Sequence, residues 1–165
     1  MRMYDELINN IDKIGYITIY PWKDNPTKML VGCVLYHNPN WLAIWLIGPT
    51  GEEDGVFLCS WSQIFRVEFE SRYSIQLIPD YLEERSQKIC FSEDRIISLA
   101  LENHSQVTIM LKDGDSEING MIEEVSSDSF MLRTDNGEKD RDLLECRVND
   151  GNLAYIWLEV PISEI

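Results

Sequence analysis

The sequence is poor in the groups that usually announce chemistry. It holds only two histidines, His37 and His104. No G-x-S-x-G, H-E-x-x-H or Walker loop occurs, so the common nucleophile, zinc and phosphate-cradle signatures are missing. No enzyme activity, metal or cofactor is expected. The four cysteines, Cys33, Cys59, Cys90 and Cys146, form no C-x-x-C pair. That removes the usual zinc and redox spacings, and they read as small buried hydrophobes. No apolar run approaches the roughly 20 residues a membrane helix needs; the longest is Trp41–Ile47. The opening "MRMYDELINNIDKIG" carries acids from Asp5 on and has no apolar signal core. A cytoplasmic protein without a membrane partner is expected.

Cations are scarce as well. Fourteen Lys and Arg face twenty-nine Asp and Glu, for a net charge of −15. The imbalance is uneven, nine acids against five bases over residues 1–70 and twenty against nine over 71–165. A field of this sign repels phosphate backbones and favours a basic protein partner. Nucleic acid is therefore not the expected ligand.

What is present is a repeat. "DELINNIDKIG" puts Leu7, Ile8, Ile11 and Ile14 at helical spacing, with Tyr4 one turn earlier. "DRIISLALENHS" does the same with Ile97, Ala100 and Leu101, after Ser92 as N-cap and Glu93 and Asp94 in the first turn. Each helix leads to a short strand, "YITIY" or "VTIML", and then a turn, "PWKDNPT" or "KDGDS". Asp113-Gly114 suits a hairpin turn because glycine accepts positive φ. The second strands, "KMLVGCVLY" and "SEINGMIEEV", align Gly32 with Gly120, where a strand bends sharply or another backbone comes close. The third strands are "WLAIWLIG" and "SFMLRTDNG", and two more follow in each half. The expected organisation is a unit over 1–70, a linker over 71–90 with the short helix "PDYLEERSQKI", and a second unit over 91–165.

Helix followed by five bent strands, with a glycine in the second, resembles the Sm-like barrel of Sm, LSm and Hfq proteins. The segment "VTIMLKDGDSEINGMIEEVSSDSFMLRTDNG" carries the resemblance furthest. It implies a mainly β chain with a few helices, built as two tandem Sm-like barrels of five antiparallel strands each. It also implies single-stranded RNA as an alternative ligand. The matching residues would be His37, Asn38, Asn40 and Trp41 in "HNPNW" of the first unit, and Arg147 and Asn149 in "RVNDG" of the second. Neither unit holds the whole set. The "SWSQ" loop lacks the family's Arg-Gly, and "SSDS" lacks the asparagine.

The sharpest contrast between the units lies on their outward faces. Alternation predicts Phe130, Leu132 and Thr134 facing in, with Met131, Arg133 and Asp135 facing out. In the first unit Leu42, Ile44 and Leu46 face in, and Ala43, Trp45 and Ile47 face out. The neighbouring strand adds Val31, Cys33 and Leu35, where the second unit has Asn119, Met121 and Glu123. This six-residue patch needs a cover: the second unit, the linker helix, another copy or a foreign protein. The function expected is a non-catalytic interaction or assembly module. A third reading is an acidic inhibitor of the immunity type that blocks a basic toxin.

Overall fold

The computed structural model describes residues 2–10, 17–69, 93–112, 114, 116–134, 143–148 and 152–159. The expected linker helix, Ser92, Asp135 and Cys90 lie outside the described residues.

Helix α1 (Arg2–Asn10) turns Leu7 into the interior, fully buried, and packs Tyr4 against it. Ile8, expected on the same face, instead points to solvent at 43% exposure. Positions seven and eight sit about 100° apart, and the buried stripe is too narrow for both. Helix α2 (Glu93–Glu102) has a wider stripe than expected. Ile96 and Leu99 are buried beside Ile97 and Ala100, while Leu101 is half-buried.

The helix ends in a Schellman motif, with Ser105 N–H donating to the Ala100 carbonyl and His104 N–H to that of Leu101. His104 takes the left-handed position, φ 50°, that glycine usually fills.

The strands are β1 (Ile17–Tyr20), β2 (Leu30–His37), β3 (Trp41–Ile47), β4 (Glu53–Ser60) and β5 (Arg66–Phe69), with a 3-10 turn over Trp61–Gln63. Then come β6 (Gln106–Leu111), β7 (Ile118–Val125), β8 (Ser129–Thr134), β9 (Leu143–Arg147) and β10 (Leu153–Leu158). The protein is mainly β, and all ten strands form one antiparallel sheet in the order β5-β1-β2-β3-β4-β10-β6-β7-β8-β9.

Two closed barrels do not form. A strand has two edges, and β4 gives its edges to β3 and β10, so it does not close onto β5 of its own half. The sheet is nevertheless a doubled pattern. The order 5-1-2-3-4 of the first half returns as 10-6-7-8-9 in the second.

The duplication extends to irregularities. The β2–β3 register shifts between Val34 and Tyr36, and the β7–β8 register shifts between Ile122 and Glu124. Gly32 pairs with Leu46 and Gly120 with Thr134. A β-carbon on Gly32 would collide with the Trp45 carbonyl oxygen, and one on Gly120 with that of Arg133. Both glycines therefore serve a close approach of backbones, which only hydrogen allows. Positive φ is found at Gly51 and Gly55. Asp113 of the expected Asp113-Gly114 turn lies outside the described residues, and the Gly114 N–H closes a turn on the Leu111 carbonyl at 3.0 Å.

Two apolar clusters lie on opposite sides of this sheet. One collects Leu7, Ile17, Ile19, Trp22, Leu42, Ile44, Leu46, Phe57, Cys59, Trp61, Ile64, Ala154 and Tyr155. The other joins the backs of β2, β3 and β4 to α2 and to the interior of the second half.

Candidate functional site

The outward patch of the first half is an internal joint. Val31, Cys33, Leu35, Ala43, Trp45 and Ile47 are all buried, with Cys33, Ala43 and Trp45 at 0% exposure. Five of them, all but Val31, belong to the cluster that contains Ile96, Ile97, Leu99 and Ala100 of α2 and Ile122, Phe130 and Leu132 of the second half. Both faces of β3 are thus covered, which explains seven consecutive apolar residues. Burying the patch contributes on the order of 10 kcal/mol, from about 1.5–3 kcal/mol for each large side chain. A fragment ending at Glu70 is expected to be insoluble or to self-associate. A monomeric, cooperatively folded fragment in sedimentation and melting experiments would contradict this account.

The joint is completed by β4 and β10. Tyr155 pairs with Cys59, Ile156 with Leu58, Trp157 with Phe57 and Leu158 with Val56. Ile156, Leu58, Leu158 and Val56 belong to one cluster, while Tyr155, Cys59 and Phe57 belong to the other, with Trp157 packed against it. The strand "LAYIWL" is therefore divided between two interiors. A polar chain crosses the same joint. The Trp22 indole N–H donates to Tyr155 Oη at 3.2 Å, and the Tyr155 hydroxyl donates to the exposed Glu117 carboxylate. Burial, followed by this carboxylate, holds the Tyr155 phenol well above its ordinary range.

The residues that the Sm-like resemblance offers to RNA are occupied in building a turn. Asn38 Oδ1 accepts the backbone N–H of Asn40 at 2.8 Å and of Trp41 at 2.7 Å. Its Nδ2 donates to Tyr36 Oη at 2.9 Å. The Trp61 indole N–H donates to its carbonyl at 2.9 Å. Trp41 is 3% exposed and Asn40 is exposed. His37 is half-buried with its ring 5.8 Å from that of Tyr4, and desolvation lowers its pKa. Cys33 lies in the interior, so the structure gives His37 no exposed thiol partner on that strand. Arg147 is exposed on β9, seven strands away from β2 in the sheet order, and Asn149 lies outside the described residues.

The three described cysteines, Cys33, Cys59 and Cys146, are buried. Desolvation pushes the Cys59 thiol far up, and burial, then the Glu145 charge, pushes Cys146 up to about 12. In the unfolded chain these thiols titrate near 9.0. A raised folded pKa gives stability that is complete below the unfolded value and is lost as pH rises above it. Stability is thus expected to fall as pH rises from about 9 to about 12, with Tyr155 adding to the fall above about 10. His37 has the opposite sign, and its contribution is lost as pH falls through the usual histidine range. Urea midpoints across pH, together with a thiol reagent that labels these three cysteines only on unfolding, check the assignment.

Elsewhere a cleft of about 580 Å³ opens between the end of α2 and β7–β8, lined by Leu101, His104, Ile122, Glu123 and Arg133 among others. Its charged side chains satisfy each other: Arg133 holds Glu123 with two hydrogen bonds, one from Nη2 to Oε2 at 2.8 Å. Among the described residues no group of three or more His, Cys, Asp or Glu is arranged to hold a metal ion. Of the acidic turn at 113–117, Asp113 and Asp115 lie outside the described residues. No described helix is long and apolar enough to cross a membrane. No family model, curated protein or solved structure matches the chain.

The sequence reading missed the part played by β4 and β10. The apolar runs "VFLC" and "LAYIWL" were the available signal, because each is too continuous for a strand with one wet face.

Proposed function

We propose that the chain is a non-catalytic protein-interaction and assembly module built from two Sm-like five-strand units. The observation that supports it is the β4–β10 joint. One unit takes up the other by adding strand to strand, and the same two kinds of edge, a fourth strand (β9) and a fifth strand (β5), end the sheet. Main-chain pairing along such an edge is a general way for a folded domain to take up another polypeptide. The net charge of −15 favours a partner with a basic face and speeds its encounter. Single-stranded RNA fits less well, because Asn38 and Trp41 are used in the fold and Arg147 lies on β9, seven strands from β2 in the sheet order.

Two measurements test this reading. Labelled oligo-U and oligo-A are expected to show no binding at about 150 mM salt. The full chain is expected to co-purify from its native lysate with a protein in fixed stoichiometry, and raised salt should slow that association. Submicromolar oligonucleotide binding that Arg147→Ala removes would overturn the proposal in favour of RNA.

A further inference from the structure

The internal joint shows what the edge of a fourth strand can do. β4 gives that edge to β10, with Leu58 facing Ile156 and both fully buried. The register carries the comparison to β9. Gly32 pairs with Leu46 as Gly120 pairs with Thr134, so Trp41 and Ala43 correspond to Ser129 and Met131. Their partners across the next strand then correspond too: Ser60 to Arg147, and Leu58 to Glu145.

At β9 two residues oppose the same event. The first is Asn152, next to the start of β10. Its Oδ1 accepts the Arg147 N–H at 2.6 Å, and its Nδ2 donates to the Glu145 carbonyl at 3.4 Å. The Val148 N–H bonds to the Asp128 carbonyl on the β8 side. Alternate residues of a strand send their main-chain groups to opposite edges, so those of Glu145 and Arg147 belong to the edge away from β8. A side-chain amide carries the same C=O and N–H as a peptide group, and here it takes the place a neighbouring strand would fill. Asn152 is itself anchored, because its main-chain carbonyl accepts the Lys112 N–H at 2.8 Å.

The second is Glu145, an exposed acid where the joint has the buried Leu58. A strand laid along β9 in the register of the joint would strip water from this carboxylate and give it no partner. Charges on an edge strand are a common means of stopping a sheet from growing. We infer that Asn152 and Glu145 together form an edge guard, which ends the sheet at β9 and keeps copies of this chain from adding to one another there. Asn152 occupies the main-chain groups, and Glu145 makes the rest of the edge costly to cover. The guard acts between copies of the chain, whichever protein the module takes as its partner.

Four full-length proteins test the guard: the parent, Glu145→Leu, Asn152→Ala and the double variant. Sedimentation at about 100 μM is expected to show the parent and both single variants as monomers. The double variant should self-associate at least about tenfold more tightly than either single variant, and its amides over residues 143–147 should gain protection on association. Amide exchange gives a second readout that needs no association. In Asn152→Ala the Arg147 amide should exchange at least about tenfold faster than in the parent, while that of Val148, held by Asp128, should not change. A double variant that is folded by circular dichroism and remains monomeric overturns the inference. So does association of Glu145→Leu alone as strong as that of the double variant, because Asn152 then guards nothing. Unchanged Arg147 exchange in Asn152→Ala overturns it even where the double variant fails to fold. Association that protects only other strands places the contact elsewhere and overturns it as well.

Discussion

Trp45→Asp is expected to leave the chain unfolded at 25 °C. The side chain is completely buried in the cluster that joins the back of β3 to α2 and the second half. A carboxylate there has no cation within the cluster and cannot reach water. The cost is on the order of 5 kcal/mol or more, comparable to the total stability of an ordinary domain. Trp45→Phe separates the charge effect from loss of volume. The indole N–H has no hydrogen-bond partner, so phenylalanine removes an unsatisfied donor while opening a modest cavity. A net loss of about 1–2 kcal/mol is expected. Arg133→Asp, at the equivalent position of β8, loses an exposed ion pair with Glu123 and should lower the melting temperature only slightly. Circular dichroism melts of the three variants are sufficient. Similar curves for Trp45→Asp and Arg133→Asp would refute the assignment of the two faces.

Gly55→Ala should damage the joint between halves almost as severely. Gly55 has φ 90°, and a β-carbon there would collide with the Leu158 carbonyl oxygen across the β4–β10 pair. Backbone strain and overpacking together predict a loss of about 2–5 kcal/mol. Gly114→Ala is the control. A β-carbon added there would approach the Leu111 carbonyl oxygen only to 3.3 Å. It should change stability by less than about 1 kcal/mol. Urea denaturation gives the two values, and amide exchange at Tyr155–Leu158 shows whether the loss is felt at the joint. Equal effects for the two glycines would mean that the close approach at Gly55 is not a constraint.

Local pattern was readable in the sequence because local physics sets it. The alternation in "SFMLRT" placed Phe130 and Leu132 inside, and the double apolar run at Trp41–Ile47 announced a strand covered on both faces. Gly32 and Gly120 marked close backbone approaches before any partner was known. The failures have a common cause. Pairing of β4 with β10 joins residues about a hundred positions apart, and no periodicity encodes which edge meets which. Two barrels were expected from the order of helix and five strands in each half, whereas β4 finds its second strand partner in the other half. Ile8 was placed on the helix stripe by spacing alone, without knowledge of how narrow its contact is. Asn38 looked available to a ligand because a turn-building amide and a recognition amide have the same letter. Only the hydrogen bonds to Asn40 and Trp41 distinguish them.

The position of β10 also bears on how the protein is made. It follows every other described strand in the chain, yet it lies in the middle of the sheet, between β4 and β6. During synthesis the first half leaves the ribosome with Val56, Leu58 and Phe57 on an open edge, and it must wait about a hundred residues, until β10 is made, before that edge is filled. Contacts of such long sequence separation slow folding and prolong exposure of sticky intermediates. Nascent chains stalled before Leu153 should therefore engage holdase chaperones, and release of β10 should set the moment at which they let go.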